Sequence, residues 1–365
     1  MNQSLIVMIK PTNACNLRCL YCYHAEYEYS NSIMDFSVFE SLLKMAKKEY
    51  SHLHLIWHGG EPLMPGISFY QKIMSIEESF ASNSFKITNS MQSNGTLLTP
   101  DFADFLTSNN IQLGFSFDGA TNDAVRGKAG STISGMQLMR EHNKRIGAIK
   151  VMLKDDLTDI ISVYNYFKSI SCDLKLNPLF KCELVQPDML YTPQEYAEAL
   201  KNLFYYWVND AECNIIVNPF NEYLALLSGT GKRTCSHSSC MTKFLSIDHN
   251  GDFYPCSRYY PPTMCLGNIK NISKISELFQ SEAFISLLSS AITRRETCKN
   301  NCMLFPYCQG GCNHDALTDG HLDKSGFFSC LVFKQFFPII KNYFESTEIS
   351  CIKNPQIKKQ LRSTI

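Results

Sequence analysis

The sequence has no excess of charge of either sign and no long apolar run. Its 365 residues include 34 Lys and Arg and 34 Asp and Glu, which gives a formal net charge of zero. A neutral chain has no long-range field that would attract nucleic acid or an anionic membrane surface. No stretch approaches the roughly 18 consecutive apolar residues of a membrane span, and the first apolar run is too short for a secretion signal. We therefore predict a cytoplasmic protein without a nucleic-acid or membrane partner.

Cysteine, in contrast, is abundant. The chain contains 16 cysteines, and 45% of its residues are hydrophobic. That content can bury the core of one large domain or of two ordinary ones. Because a reducing compartment disfavours disulfides, so many thiols indicate metal or redox chemistry.

Strand-length apolar runs alternate with segments of helical period through the first half of the chain. Six runs predict strands, at 4–10, 52–58, 86–92, 111–118, 148–154 and 173–180, and a helical segment follows each of them. This alternation favours a parallel sheet with right-handed crossovers, in which functional residues follow the carboxyl ends of strands. Beyond about residue 230 the alternation stops and Cys, Gly, Pro and Asn become dense. We place a domain boundary in SGTGK, residues 228–232.

Polar or glycine-rich segments follow each of the first four predicted strands. These are CNLRCLYC from residue 15, HGGEP at 58–62, QSNGT at 92–96 and SFDGA at 116–120. Thiolates suit zinc or iron-sulfur clusters, and structural zinc normally takes four protein ligands. Cys15, Cys19 and Cys22 supply only three, which on a four-iron cluster leaves one iron open to substrate or cofactor. The alternatives are buried free cysteines, or a zinc site completed by His24 or a distant residue.

This CxxxCxxC spacing, together with GGEP at 59–62, resembles the signature of radical S-adenosylmethionine (SAM) enzymes. The resemblance implies a 4Fe-4S cluster whose open iron is chelated by SAM, and a 5′-deoxyadenosyl radical produced by reductive cleavage. It also implies that GGEP approaches the SAM amine with help from Glu61, that Asn94 and Ser116 contact the ribose or carboxylate, and that Arg126 meets the methionyl carboxylate. The predicted cofactor-binding residues are Tyr21, Gly59, Gly60, Glu61, Gln92, Asn94, Ser116, Asp118 and Arg126.

Eight cysteines beyond residue 230 form a second ordered pattern. On chemistry alone, eight thiols could hold two zinc ions or two iron-sulfur clusters. The pattern, with LGNI at 266–269, resembles a SPASM domain, which implies two auxiliary 4Fe-4S clusters and three clusters in all. The usual second group begins CxxC, whereas three residues separate Cys298 from Cys302 here. By order, the resemblance assigns Cys235, Cys240, Cys256 and Cys312 to the first auxiliary cluster, and Cys298, Cys302, Cys308 and Cys330 to the second.

We therefore predict an α/β fold, with a partial (β/α)6 TIM-like barrel over residues 1–230 and a cysteine-rich SPASM domain over residues 231–365. The other five cysteines are predicted to be small core hydrophobes, although Cys265 is close enough to Cys256 to serve as a spare ligand. The basic tail after Cys351 is predicted to be a solvated helix or a frayed end, with a docking arm for a partner as the alternative.

The whole pattern is similar to anaerobic sulfatase-maturing enzymes and to ribosomal-peptide maturases, both of which act on polypeptides. The former typically place an Asp base directly after the third cysteine of the first auxiliary site, where this chain has Ser257. A hydroxyl is a far poorer proton acceptor than a carboxylate. We therefore expect a peptide maturase that forms a crosslink such as a cyclophane, with formylglycine formation as the alternative. Ser257, Arg258, Tyr259 and Tyr260 are candidate substrate-side residues by position.

The resemblance also implies partners: a precursor peptide as substrate, and an electron donor such as flavodoxin or ferredoxin. No separate leader-binding domain precedes the first predicted strand, so we expect leader recognition at the barrel rim, in the C-terminal domain or on another protein. Two other classes remain open, a redox or zinc protein without catalysis and an enzyme acting on a small molecule or nucleic acid. Metal content tests the first, and SAM cleavage with candidate peptides tests the second.

Overall fold

The computed structural model describes residues 4–26, 31–182, 185–229, 234–238, 240–258 and 262–362. Its strands are β1 (Ser4–Ile9), β2 (His52–Trp57), β3 (Lys86–Ser93), β4 (Gln112–Ser116), β5 (Gly147–Met152), β6 (Asp173–Pro178), β7 (Val217–Asn218), β8 (Phe244–Ile247), β9 (Asp252–Tyr254) and β10 (Gly267–Asn268). Its helices are α1 (Phe36–Glu49), α2 (Ile67–Phe80), α3 (Pro100–Ser108), α4 (Asn122–Val125), α5 (Ala129–Glu141), α6 (Lys154–Thr158), α7 (Ile160–Ser169), α8 (Pro193–Asn209), α9 (Phe220–Ser228), α10 (Glu282–Asn301), α11 (Phe305–Cys308), α12 (Asn313–Thr318), α13 (Phe328–Ser346) and α14 (Pro355–Arg362).

The chain divides into two compact units. The first consists of Met1–Ser116, Arg126–Lys144 and Cys240–Ser289, and the second of Phe117–Val125, Arg145–Ser239 and Ser290–Ile365. The predicted boundary at 228–232 falls partly outside the described residues, and the predicted division into 1–230 and 231–365 stays a prediction. Of the helices in the described part of the chain, none is long and apolar enough to cross a membrane.

The first unit is built on a mostly parallel sheet in the order β10-β9-β8-β1-β2-β3-β4. Strand β1 pairs in parallel with β2, Ser4 lying opposite His52, and β2 pairs in parallel with β3. On its other side β1 pairs in parallel with β8, and β9 and β10 continue the sheet as antiparallel strands. The sequence did not predict β8 to β10, which bring a segment from beyond residue 230 to the edge of the first strand.

In the second unit β5, β6 and β7 also pair in parallel. The six predicted strands all form, with bounds that differ by at most two residues from those expected. Alternate residues of β1, β2 and β5 are buried, as the pattern of a half-buried strand requires. The predicted α/β fold with a parallel sheet is therefore confirmed.

Local signals fix the ends of the helices. The Asp35 side chain accepts a hydrogen bond from the backbone N–H of Ser37 at the start of α1. Thr192 and Glu195 form a reciprocal capping box at the start of α8, which also has Pro193 at its first position. These groups satisfy backbone donors that the first helical turn leaves without a partner.

The C-terminal tail corrects one expectation. Within the second unit Asn354 donates from Nδ2 to the Trp207 carbonyl oxygen at 2.8 Å, and Ile357 is fully buried. The tail therefore forms a helix, as predicted, but that helix is packed rather than solvated. Of the five unassigned cysteines, Cys172 and Cys213 are buried as predicted, whereas Cys351 is exposed, so the core prediction is wrong for it.

A buried carboxyl in the first unit makes stability depend on pH. Glu77 is 7% exposed, and its Oε2 accepts a hydrogen bond from Asn89 at 2.8 Å. Burial raises the pKa of Glu77 to about 7 from an ordinary 4.5. The pKa of Glu77 is higher in the folded than in the unfolded protein. Its contribution to the free energy of unfolding is therefore fully present below about pH 4.5 and is lost as the pH rises through 7.

We expect Glu77→Gln to stabilise the protein at pH 8.5 by about 3 kcal/mol, from roughly 1.4 kcal/mol per pKa unit, and by less at pH 5.5. Thermal unfolding of both proteins at the two pH values measures this. An equal shift of the melting temperature at both pH values would contradict the assignment.

Candidate active site

The three-cysteine loop follows β1 and lies directly on the GGEP loop. Gly60 N–H donates to the Thr12 carbonyl oxygen at 3.2 Å, and Glu61 N–H donates to the Ala14 carbonyl oxygen at 2.8 Å. A Cβ on Gly60 would lie 2.1 Å from that Ala14 oxygen, and Gly59 has a φ of +114°. The two glycines are therefore required for a close backbone approach, which is made here to the cysteine loop. Their predicted contact with SAM stays a prediction.

Glu61 joins the loops that follow β2 and β3. Its carboxylate accepts from the Ser93 hydroxyl at 2.7 Å and from the backbone N–H groups of Asn94 and Leu63 at 2.8 and 2.9 Å. The residue is fully buried, and burial raises the pKa of its carboxyl although these hydrogen bonds lower it. Glu61 thus fixes the geometry of the loops, a role that the sequence did not predict.

Polar side chains connect the QSNG segment to its surroundings. Asn94 donates from Nδ2 to Asn16 Oδ1 at 2.9 Å, which links this segment to the cysteine loop. Asn16 in turn donates to the Thr96 hydroxyl at 2.7 Å. Gln92 donates from Nε2 to the Ser116 hydroxyl at 2.9 Å, so these two predicted cofactor-binding residues lie together.

Arg126 lies beside the cysteine loop. Its Nη1 donates to the Tyr21 hydroxyl oxygen at 2.7 Å. Burial raises the pKa of the Cys15 thiol, Glu61 and Cys19 raise it further, and the Arg126 charge lowers it. A cation next to a set of thiols favours their ionised, metal-binding form. The first unit therefore brings together Tyr21, Glu61, Arg126 and two of the three cysteines.

Asp118 is the one predicted cofactor-binding residue in the second unit. It is 2% exposed, and its Oδ1 accepts from the Val151 backbone N–H at 3.1 Å. The Lys150 ammonium donates to the Asp118 carbonyl oxygen at 3.1 Å and forms an ion pair with Asp156 at 2.9 Å. These contacts give Asp118 a structural role at the end of β5.

The residues that follow β1, β2 and β8 form a buried polar group that the sequence did not predict. Lys10 is fully buried and forms an ion pair with Asp248 at 2.8 Å. Burial and the charges of Lys10 and Arg258 lower the pKa of His58 to about 4. The rings of His24 and His58 lie 6.2 Å apart. The signal was present, since a single charged residue ends each of the apolar runs SLIVMIK and FLSID.

The candidate substrate-side residues adjoin this polar group. Ser257 is 3% exposed and forms a side-chain hydrogen bond with Tyr23. Burial raises the pKa of the Tyr23 hydroxyl, and the Arg258 charge lowers it. No carboxylate stands at position 257, and the Arg258 charge contributes to the lowered pKa of His58. Tyr259 and Tyr260 lie outside the described residues.

The predicted ligands of the second auxiliary cluster all belong to the second unit. Burial raises the pKa of Cys298, and the neighbouring thiols of Cys330 and Cys302 raise it further. Burial likewise raises the pKa of Cys308 to about 11, with the same two neighbours and Cys298 adding to the effect. Four mutually interacting thiols are a suitable donor set for a 4Fe-4S cluster.

The predicted ligands of the first auxiliary cluster are divided between the units. Cys240 and Cys256 belong to the first, and Cys235 and Cys312 to the second. This assignment stays a prediction. In the described residues, no three His, Cys, Asp or Glu side chains are grouped to hold a single metal ion.

Comparison with known proteins agrees with the thiol pattern. Residues 9–167 match the radical SAM superfamily, and residues 235–303 match the iron-sulfur cluster-binding domain SPASM. A cysteine-type anaerobic sulfatase-maturating enzyme of Clostridium perfringens is 29% identical over 361 residues, which cover 91% of this chain and 95% of the relative.

Solved structures give the same result. Native anSMEcpe with bound AdoMet and Kp18Cys peptide has a TM-score of 0.82 at 27% identity, with 94% of this chain and 100% of that chain covered. Streptococcus suis SuiB bound to precursor peptide SuiA has a TM-score of 0.65 at 17% identity, with 89% and 75% covered, which shows a shared fold. The chain is therefore a radical SAM enzyme with a SPASM domain, and it uses SAM and 4Fe-4S clusters.

Proposed function

We propose that this enzyme modifies a polypeptide, removing hydrogen from a side-chain carbon and closing an intramolecular crosslink such as a cyclophane. The observation that carries the proposal is Ser257, which is buried against Tyr23 at the position where sulfatase-maturing enzymes typically have an aspartate base. A serine hydroxyl does not take up a proton at neutral pH as a carboxylate does.

Two similarities support a polypeptide substrate. The curated relative described above is named as a sulfatase-maturating enzyme and aligns along 91% of this chain. The solved relative with a TM-score of 0.82 contains a bound peptide. Both are similar over nearly the whole chain, so the likeness includes the loops after the strands as well as the sheet.

The chain's own residues would prepare the site in two ways. Cys15, Cys19 and Cys22 would hold the first cluster and leave one iron for SAM. When bound, the cluster and SAM together would supply the radical that abstracts a hydrogen atom. Glu61 and Asn94 would hold the loops after β2 and β3 in place through the hydrogen bonds described above. A fixed set of loops positions the target carbon and excludes water, which is the protein's main contribution to cofactor chemistry.

Closing a carbon–carbon bond between a ring carbon and a Cβ removes two hydrogens from the peptide. One would leave as a hydrogen atom, which the radical formed from SAM would take up, and the other would leave as a proton together with one electron, which the auxiliary clusters would accept. His58 could accept this proton, because its imidazole is neutral at pH 7, although the burial that lowers its pKa to about 4 also makes it a weaker base than an ordinary histidine. Its Nδ1 atom is buried and has no hydrogen-bond partner among the described residues.

Formylglycine formation is the second candidate, and the 29% identity to a sulfatase-maturating enzyme favours it. The two reactions give different products from a peptide. A crosslink lowers the mass by two hydrogens and creates no aldehyde, whereas oxidation of Cys or Ser to formylglycine creates an aldehyde.

Mass spectrometry distinguishes the two. The reconstituted enzyme is incubated without oxygen with SAM, dithionite and a short peptide encoded beside its gene, and in parallel with the Kp18Cys peptide. We expect the first peptide to lose two hydrogens and not to react with an aldehyde reagent. An aldehyde on either peptide would instead support formylglycine formation, and SAM cleavage with both peptides unchanged would count against both reactions on them.

The role of position 257 gives a separate prediction. Because its hydroxyl is not expected to act as the base, Ser257→Ala should lower the rate of peptide modification by less than about tenfold, whereas loss of a true general base costs about 100-fold or more. Single-turnover product formation at saturating peptide measures this. A loss of about 100-fold would show that the hydroxyl takes part in the proton transfer.

A further inference from the structure

The loops that carry the predicted second auxiliary cluster surround a buried arginine, Arg294, on α10. Its side chain is fully buried, and its guanidinium carbon lies 5.6 Å from the centre of the Phe327 ring. Its Nε donates to the Gly310 carbonyl oxygen at 3.0 Å, and its two terminal nitrogens donate to the Leu322 carbonyl oxygen and to Asn313 Oδ1. One side chain therefore ties α10 to three points of the cysteine-rich segment.

Two of these three points lie within two residues of predicted ligands, one of the second auxiliary cluster and one of the first. Gly310 lies between Cys308 and Cys312 and has a φ of +89°, and Asn313 follows Cys312 directly. A Cβ on Gly311 would lie 2.7 Å from the Phe327 ring, so this turn is packed tightly under the arginine. Movement of Arg294 would therefore move the turn that leads from Cys308 to Cys312.

The positive charge of Arg294 is also close to the predicted thiol ligands. Arg294 stands four residues before Cys298 on the same helix, so the two side chains share one helix face. The guanidinium therefore interacts electrostatically with the Cys298 side chain. A buried guanidinium is costly to desolvate, and it is kept where its hydrogen bonds and a nearby negative group compensate. A cluster bound by four thiolates is such a negative group.

We propose that Arg294 is the positioning residue of the second auxiliary cluster, holding the turn after Cys308 and placing a buried positive charge beside the cluster. The inference rests on the predicted ligand set Cys298, Cys302, Cys308 and Cys330. A positive charge in a water-poor site stabilises the reduced, more negative state of a cluster and so raises its reduction potential.

The test uses a full-length background variant in which Cys15, Cys19 and Cys22 are all Ala, so that only auxiliary clusters contribute iron and spectroscopic signals. Iron per chain and the midpoint of an EPR-monitored redox titration are measured for Arg294→Met, Arg294→Lys and Lys334→Gln. Lys334 is the matched control, because its charge also acts on Cys298 but its side chain is exposed to screening water.

We expect Arg294→Met to lose about half of the auxiliary iron, one cluster of two, or to keep the iron with a lower midpoint potential. Arg294→Lys keeps the positive charge but loses the planar guanidinium group that makes the three hydrogen bonds. This variant should lose iron without lowering the reduction potential of the clusters that remain. Lys334→Gln should change neither quantity. Full iron and an unchanged titration in Arg294→Met, or the same change in Lys334→Gln, would overturn the proposal.

Two further results separate the possible failures. Replacing Cys302 and Cys308 together by Ala in the same background must lower the iron by about half, and if it does not, the ligand assignment fails whatever Arg294 does. If Arg294→Met does not fold, the Arg294→Lys variant tests the positioning role, because full iron in that variant would contradict it.

Discussion

Replacing Cys15, Cys19 and Cys22 together by Ala is expected to abolish SAM cleavage while the protein keeps about two thirds of its iron. The three thiols are the only cysteines on the loop after β1, so their loss removes one cluster of the expected three. Release of 5′-deoxyadenosine and iron per chain, both determined on anaerobically purified protein, measure the effect.

The matched control is Cys172→Ala, which removes a fully buried thiol that no cluster is predicted to use. It should retain SAM cleavage and full iron. Residual SAM cleavage in the triple variant at more than about 1% of the wild-type rate would contradict the assignment of the first cluster to this loop, since a metal ligand cannot be replaced by a methyl group.

The second large effect is expected from Gly60→Ala, a change of one methyl group. The new Cβ would lie 2.1 Å from the Ala14 carbonyl oxygen, closer than any non-bonded contact allows, so the cysteine loop or the GGEP loop must move. Because a displacement of about 1 Å can cost about 100-fold in rate, we expect SAM cleavage to fall by about that factor or more.

Gly130→Ala provides the comparison. Gly130 lies in α5, its added Cβ would meet nothing within 4 Å, and its φ is not positive. That variant should cleave SAM normally and be slightly more stable, because Ala favours the helix by about 1 kcal/mol over Gly. Equal SAM cleavage by both variants would show that the two loops do not need the contact seen between Gly60 and Ala14.

The fold could be predicted where the signal is local. Runs such as SLIVMIK and HLHLIWH are long enough and sufficiently apolar to identify β1 and β2 from sequence alone. Strand β8 has only four residues, inside a cysteine-rich segment, and it becomes a strand because β1 offers it hydrogen-bonding groups. Pairing between residues more than 200 positions apart leaves no trace in a local pattern.

The same distinction applies to the site. The CxxxCxxC spacing and GGEP are contiguous motifs, and the loops that contain them do meet in the structure. The ion pair of Lys10 with Asp248, the bonds from Glu61 to the loop after β3, and the contacts of Arg294 all join distant segments. Sequence reasoning located the motifs, but it could not identify the side chains that hold them together.

The most direct test of the proposed function is hydrogen transfer from a labelled peptide. A candidate precursor peptide encoded beside the gene is synthesised with deuterium at its side-chain carbons and incubated anaerobically with enzyme, SAM and reductant. We predict that the 5′-deoxyadenosine formed contains one deuterium, and that the peptide loses this deuterium together with a second hydrogen isotope from the other carbon of the new bond. Formation of 5′-deoxyadenosine without deuterium, beside an unchanged peptide, would contradict the proposal that this enzyme abstracts hydrogen from that polypeptide.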